Sequence, residues 1–159
     1  MKNKPRAKRF ALAAALASAI AIPAEGLRQY AYYDPPGILT VCYGSTTNVV
    51  KGRKYSLGEC MKRLDDDMMI AIGHVERCVP GLPENVLAAF GDAVYNMGPT
   101  IACSTVASTA ARMLKAGDLK GACNQLPRWD KARVAGRMVA LPGLTKRRAA
   151  ERQLCLEGL

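Results

Sequence analysis

The stretch "EGLRQYAYYDPPGILTVCYGST", residues 25–46, decides the reading of this 159-residue chain. Tyr30 to Tyr33 and Ile38 to Tyr43 are rich in aromatic or β-branched residues and flank Asp34-Pro35-Pro36-Gly37, a turn-forming quartet. The segment therefore reads as a small β-hairpin or meander. One acid, Glu25, ends an alanine-rich apolar run, and a second, Asp34, opens the turn. Two carboxyls spaced this way can meet only because the chain doubles back between them. A short polar side chain is also at home in a turn for structural reasons alone.

Upstream, "MKNKPRAKRFALAAALASAIAIPA" has the basic start and apolar middle of an export signal. Lys2, Lys4, Arg6, Lys8 and Arg9 precede thirteen uninterrupted apolar or small residues from Phe10 to Ile22, seven of them alanine. As a helix that core reaches roughly 20 Å, short of the roughly 30 Å hydrocarbon layer, so its hold on a bilayer is weak. Two fates are open. A signal peptidase could cut after Ala19 or Ala21, or the segment stays attached, engages the membrane marginally and later slips out to become a helix of the folded protein. The basic residues would keep the N-terminus on the cytoplasmic side in either case.

Downstream, Ser56-Leu57-Gly58-Glu59 forms a capping box. Leu57, Cys60, Met61, Leu64, Met68, Ala71, Ile72 and Val75 then recur on one face, predicting a helix over about 57–78. Further helices are expected over 84–97, over 104–116, from Asp118 through Leu126 up to Pro127, and from Thr145 to about Glu157. The fold class is α+β and mainly helical: a β-containing lobe over about 25–56, a connecting helix, and a helical lobe over about 81–159. A cleft between the lobes is the expected ligand site.

Half of the residues are hydrophobic and 23% are charged, which excludes a disordered chain. The net charge of +10 favours a polyanionic neighbour without choosing among nucleic acid, anionic lipid and an acidic envelope polymer. Six cysteines, Cys42, Cys60, Cys78, Cys103, Cys123 and Cys155, without a CxxC spacing, point to disulfides and an oxidising compartment, with fifteen connectivities open.

The lone histidine, His74, lies mid-helix and reads as a surface residue, so a histidine-based triad lacks its base. No metal site or cofactor is expected. Carboxylate chemistry remains. Glycoside cleavage needs one protonated carboxylic acid and one carboxylate that activates water or bonds the sugar. Glu25, at the end of an apolar helix packed into the core, is expected near apolar walls that disfavour ionisation, whereas Asp34 in a polar turn stays charged. Thr40 on the following strand supplies a hydroxyl to hold a water.

Glu25, Asp34 and Thr40, at these spacings within "EGLRQYAYYDPPGILTVCYG", resemble the active-site signature of the phage-type lysozymes, glycoside hydrolase family 24. Further matches are "YNMG" at 95–98, "STV" at 104–106, "GDLKGACNQLPRW" at 117–129 and "GLTKRRAAERQLCL" at 143–156. The resemblance implies a lysozyme-like fold over 25–159 in which Glu25 is the general acid while Asp34 and Thr40 position water. It also implies inverting hydrolysis of the β-1,4 link between N-acetylmuramic acid and N-acetylglucosamine in peptidoglycan. It places Tyr95 and Thr105 along the substrate groove, where each reads equally well as a helix core residue.

Residues 10–24 are similar to the uncleaved, weakly hydrophobic anchors of signal-anchor-release endolysins. This likeness favours retention, export through the host Sec machinery, and passage from an inactive state at the inner membrane, held through residues 10–24, to an active periplasmic one. It further implies the pairs Cys42 with Cys60 and Cys123 with Cys155, leaving Cys78 with Cys103. A monomer without nucleic-acid binding is expected. Ser45 departs from the family, which often has histidine there, and the Pro99 to Cys103 loop is short. Lys146, Arg147, Arg148 and Arg152 read as a solvated helix face that attracts an anionic polymer, and Trp129 as an anchor of the helical lobe. The rivals are a cationic envelope-disrupting protein without catalysis and a lytic transglycosylase.

Overall fold

The computed structural model describes residues 4–159; Lys2 of the basic start lies outside them. Helix α1, Lys4–Glu25, absorbs the whole apolar run. Its Ala13, Ala14, Ala17, Ser18 and Ala21 are buried, a stripe at helical spacing. Side chains this small let the backbone of α1 lie close against helices α2, Leu57–Cys78, and α3, Glu84–Met97. Pro5–Glu25 is by length and composition also able to cross a bilayer. Pro23 falls in the last turn of α1, and Gly26 beyond it takes φ 73° while its N–H bonds to the Ile22 carbonyl, ending the helix.

The basic start is not idle in this arrangement. Arg9 donates to Glu76 Oε1 of α2 and to the Leu82 carbonyl, each at 2.5 Å. Glu76 is 7% exposed, so this ion pair is largely removed from water, and the Gly81 N–H also bonds the carboxylate at 3.4 Å.

Strands β1, Arg28–Tyr33, and β2, Leu39–Cys42, form the expected antiparallel hairpin. Its register slips between Arg28 and Tyr32, and a bridge from Tyr30 to Lys54 adds a third short segment. The capping box of α2 is complete, with Ser56 Oγ accepting from the Glu59 N–H and Glu59 accepting from the Ser56 N–H. The anticipated face of α2 is buried at Cys60, Leu64, Met68, Ala71, Ile72 and Val75. Leu57, in the first turn, is instead 54% exposed.

The helical lobe departs from expectation at its junctions. Residues Thr100–Cys103 form a short helix, α4, and helix α5 is confined to Thr109–Ala116. The intervening serines bring this about. Ser104 Oγ takes the Ala107 N–H, and Ser108 Oγ caps α5 at the Ala111 N–H, so the chain turns between them. Helix α6, Leu119–Gln125, passes into a 3₁₀ turn over Leu126–Trp129 that accommodates Pro127 near its start.

A second hairpin, β3, Lys131–Val134, with β4, Arg137–Ala140, was not anticipated. Ala135 and Gly136, both at positive φ, make its two-residue turn. Helix α7 begins at Pro142 rather than at Thr145, whose hydroxyl instead donates to Asp130 Oδ2 at 2.8 Å. Trp129 is partly buried against the hydrophobic core.

Three disulfides staple the elements: Cys42–Cys60 joins β2 to α2, Cys78–Cys103 joins α2 to α4, and Cys123–Cys155 joins α6 to α7. The last closes the longest loop, a separation of 32 residues. Replacing Cys123 and Cys155 together by serine is expected to cost about 3–4 kcal/mol of unfolding free energy in a denaturant titration. Unchanged stability would contradict a structural role for this bridge.

Candidate active site

Between the β-hairpin and the helices lies a cleft of about 590 Å³, and Glu25, Asp34, Thr40 and Tyr95 all line it. They arrive from three directions. Glu25 is the last residue of α1, Asp34 sits between the strands, Thr40 is on β2 and Tyr95 on α3. Thr105 does not line the cleft; it lies in the turn before α5, where its carbonyl accepts from Arg112.

The turn fixes Asp34. Its N–H and carbonyl engage Ile38 and Gly37, and Oδ1 accepts the Ile38 N–H at 2.7 Å. Oδ2 has no protein partner among the described residues and remains available to a ligand or water. Thr40 is 3% exposed and donates to the Ile38 carbonyl at 3.0 Å, which leaves its oxygen free to accept.

The surroundings of Glu25 correct the expectation of apolar walls. Its Oε1 accepts from Arg147 Nη1 of α7. Gly44 stands beside its other oxygen: a Cβ there would lie 3.6 Å from Glu25 Oε2 and 3.7 Å from Tyr95 Oη. With φ 88°, the position also has a backbone that glycine adopts most readily. Tyr95 donates its hydroxyl to the Tyr43 carbonyl, and burial, followed by the neighbouring Glu25 charge, pushes that hydroxyl above its ordinary pKa, so it stays protonated.

Arg147 and Arg148 are 5% and 0% exposed, which overturns the solvated-face reading of "TKRRAAER" for these two residues; Lys146 and Arg152 do face solvent. Arg147 is gripped by Asp92 of α3 through two hydrogen bonds, Nε to Oδ2 at 2.9 Å and Nη2 to Oδ1 at 2.7 Å. Arg148 pairs with Glu151 at 2.5 Å and reaches Asn96 at 3.1 Å. No local pattern marks this burial: the partners that hold Arg147 and Arg148 from outside α7 include Asp92 and Asn96, far away along the chain on α3.

His74 is likewise not a plain surface residue. With Asp67 and Ile70 it forms the α2 wall of the cleft, three and four residues apart on one face. Ser45, where a histidine was expected, is 3% exposed and accepts from Arg63 Nη1 at 3.3 Å. Arg63 also donates to the carbonyls of Thr47, at 2.7 Å, and Asn48, at 3.2 Å, fastening the loop that carries Gly44, Thr46 and Thr47 along the cleft.

Partial burial pushes the Asp67 carboxyl above its ordinary value of 3.8, against the hydrogen bond from Ser45 and the charge of Arg63. Because its folded pKa is raised, its contribution to stability is fully present below 3.8 and is lost as pH rises through the folded value. Thermal melts of Asp67→Asn should therefore match wild type near pH 3 and lie higher at pH 7. A gain at pH 3 that disappears at pH 7 would reverse the sign and contradict this balance.

Two acids, a bound arginine and a hydroxyl around one open cleft can protonate a leaving oxygen on one side and hold water on the other. The phage lysozyme family model matches residues 23–151. The chain is 38% identical to a SAR-endolysin of Bacteriophage PS119 over 136 residues, covering 84% of this chain and 77% of that one. Among solved structures it resembles the active form of P1 phage endolysin Lyz with TM-score 0.77 and 26% identity, over 90% of this chain and 84% of the other. The secreted inactive form of that endolysin superposes with TM-score 0.52 and 25% identity, over 70% and 76%. The site, the fold and these likenesses agree: the chain belongs to the phage lysozyme family and is a lysozyme-type hydrolase.

Proposed function

We propose that the protein is a phage endolysin that hydrolyses the β-1,4 bond between N-acetylmuramic acid and N-acetylglucosamine in peptidoglycan to lyse the host. The observation that carries this reading is the convergence of Glu25, Asp34 and Thr40 on one cleft in a chain of this family. Glu25 protonates the glycosidic oxygen. Asp34, oriented through its Oδ1 and open at Oδ2, and Thr40, with its oxygen free to accept, hold the water that attacks the anomeric carbon from the opposite face, giving inversion. No cofactor enters the reaction. The net charge of +10 draws the enzyme to an anionic wall.

Residues 1–24 act as a releasable anchor in this reading, and 25–159 as the lysozyme domain. Export by the Sec machinery leaves the chain tethered to the inner membrane through residues 10–24, with Glu25 at the lipid surface and away from Arg147. Release into the periplasm lets α1 dock and completes the site. The greater likeness to the active form of the P1 endolysin than to its inactive form supports equating the docked arrangement with the active one.

Release of reducing sugar from purified cell walls tests the chemistry. Glu25→Gln and Asp34→Asn should each lower it by roughly 10²–10⁴-fold. Full activity in either variant would contradict the assignment, and anhydro product ends with tolerance of Asp34→Asn would instead indicate a transglycosylase. N-terminal mass analysis of periplasmic protein should find the segment intact. A mature start after Ala19 or Ala21 would refute the anchor while leaving the hydrolase in place.

A further inference from the structure

Glu25 does not face Arg147 alone. Two of the three guanidinium nitrogens are taken by Asp92, and only Nη1 reaches Glu25. Asp92 is fully buried and does not line the cleft, so it is out of reach of a bound glycan. An ionised carboxylate removed from water is costly, and it is tolerated here because it is paired with Arg147. Its charge has a consequence at the cleft.

The proton donor of a glycosidase must carry its proton when substrate arrives, yet a guanidinium in contact favours the carboxylate. An opposite charge within about 4–6 Å typically lowers a carboxyl pKa by about 1–3 units. Arg147 cannot relieve this by losing its own proton. Burial works against its charge, but the hydrogen bonds and charge of Asp92, followed by those of Glu25, outweigh burial and drive the guanidinium above its ordinary range. The remaining way to moderate its field is a counter-charge on its far side.

We infer that Asp92 is a positioning residue that neutralises Arg147, so that the guanidinium orients Glu25 through one directional N–H without stripping it of the proton the reaction uses. The inference rests on the reading of Glu25 as the acid. With Asp92 in place, Glu25 meets the end of an ion pair rather than an isolated cation.

Other charged and titratable groups surround this pair. On α7, Glu151 lies 3.8 Å from Arg147 Nε and is fully buried with Arg148. Burial, then a hydrogen bond with Asp92, pushes the Glu151 carboxyl well up, and it stands farther from the guanidinium than Asp92 does. On α3, Tyr95 is neutral, and Arg147 lies 6.0 Å from its ring centre. Across the cleft are Asp34 from the hairpin and Asp67 and His74 from α2. Of these groups, Asp92 makes the two-point contact with the guanidinium.

The test is the pH dependence of kcat on purified peptidoglycan for the full-length chain and its Asp92→Asn, Arg147→Gln and doubly substituted variants. Asp92→Asn leaves the cation unopposed and favours ionised Glu25. The alkaline limb should move to lower pH by about one unit, a tenfold loss at a fixed pH above the limb. Arg147→Gln removes the cation in contact with Glu25 and should move the limb to higher pH. The double variant removes both charges and should return the limb to within about 0.3 units of wild type. A purely structural role would lower rate or melting temperature without moving the limb.

Should Asp92→Asn fail to fold, Arg147→Gln and the double variant carry the same test with the opposite sign. A limb at its wild-type position in the folded single variants, or a limb still displaced in the double variant, would overturn the inference. Glu25→Gln separates the two readings. Retained turnover there removes the acid assignment itself, whereas an inactive Glu25→Gln with unmoved limbs removes only the role of Asp92.

Discussion

Glu25 is the final residue of α1, so the place of its carboxyl is set by how the whole helix docks. That docking is a matter of side-chain size. Ala13, Ala14, Ala17 and Ala21 let the helix axis approach α2 and α3 more closely than leucines would, and each offers lipid little to hold. One composition thus gives the close fit against protein and, in the proposed function, an anchor able to leave the bilayer. The ends are fastened by charge, Arg9 to Glu76 and the Leu82 carbonyl at one, Glu25 to Arg147 at the other.

The rest of the fold serves to make the docking surface and the far wall of the cleft rigid. Disulfides tie α2 to β2 and to α4, and α6 to α7, so the helices bearing Asp67, His74 and Arg147 are each cross-linked to a neighbour. Arg63 plays a comparable part for the loop at Gly44, bonding Ser45, Thr47 and Asn48 from α2.

Much of this arrangement was legible in the sequence because its signals are local. The capping box at Ser56, the periodic face of α2 and the turn at Asp34 each depend on neighbours within a few positions, and each forms as read apart from the exposed Leu57. The convergence of Glu25, Asp34 and Thr40 on one cleft follows from the hairpin's reversal. What the sequence concealed depends on partners far away along the chain. Arg147 lies 122 positions from Glu25 and 55 from Asp92, and nothing in "TKRRAAER" by itself marks which of its cations are buried. The β3–β4 hairpin carries no alternating apolar face, since its residues are nearly all exposed, and so gives no period-two signal. The helix starts at Thr109 and Pro142 were misplaced where several serines, threonines and a proline compete to cap.

In the proposed function α1 is part of the working enzyme rather than a spent leader. Hydrogen exchange read by mass spectrometry on the soluble, active full-length chain measures this directly. Amides over 13–24 should be protected as strongly as those in the middle of α2 and α3. Rapid, coil-like exchange over those residues in protein that still cleaves peptidoglycan at full rate would contradict it, because Glu25 would then be working without the helix that holds it.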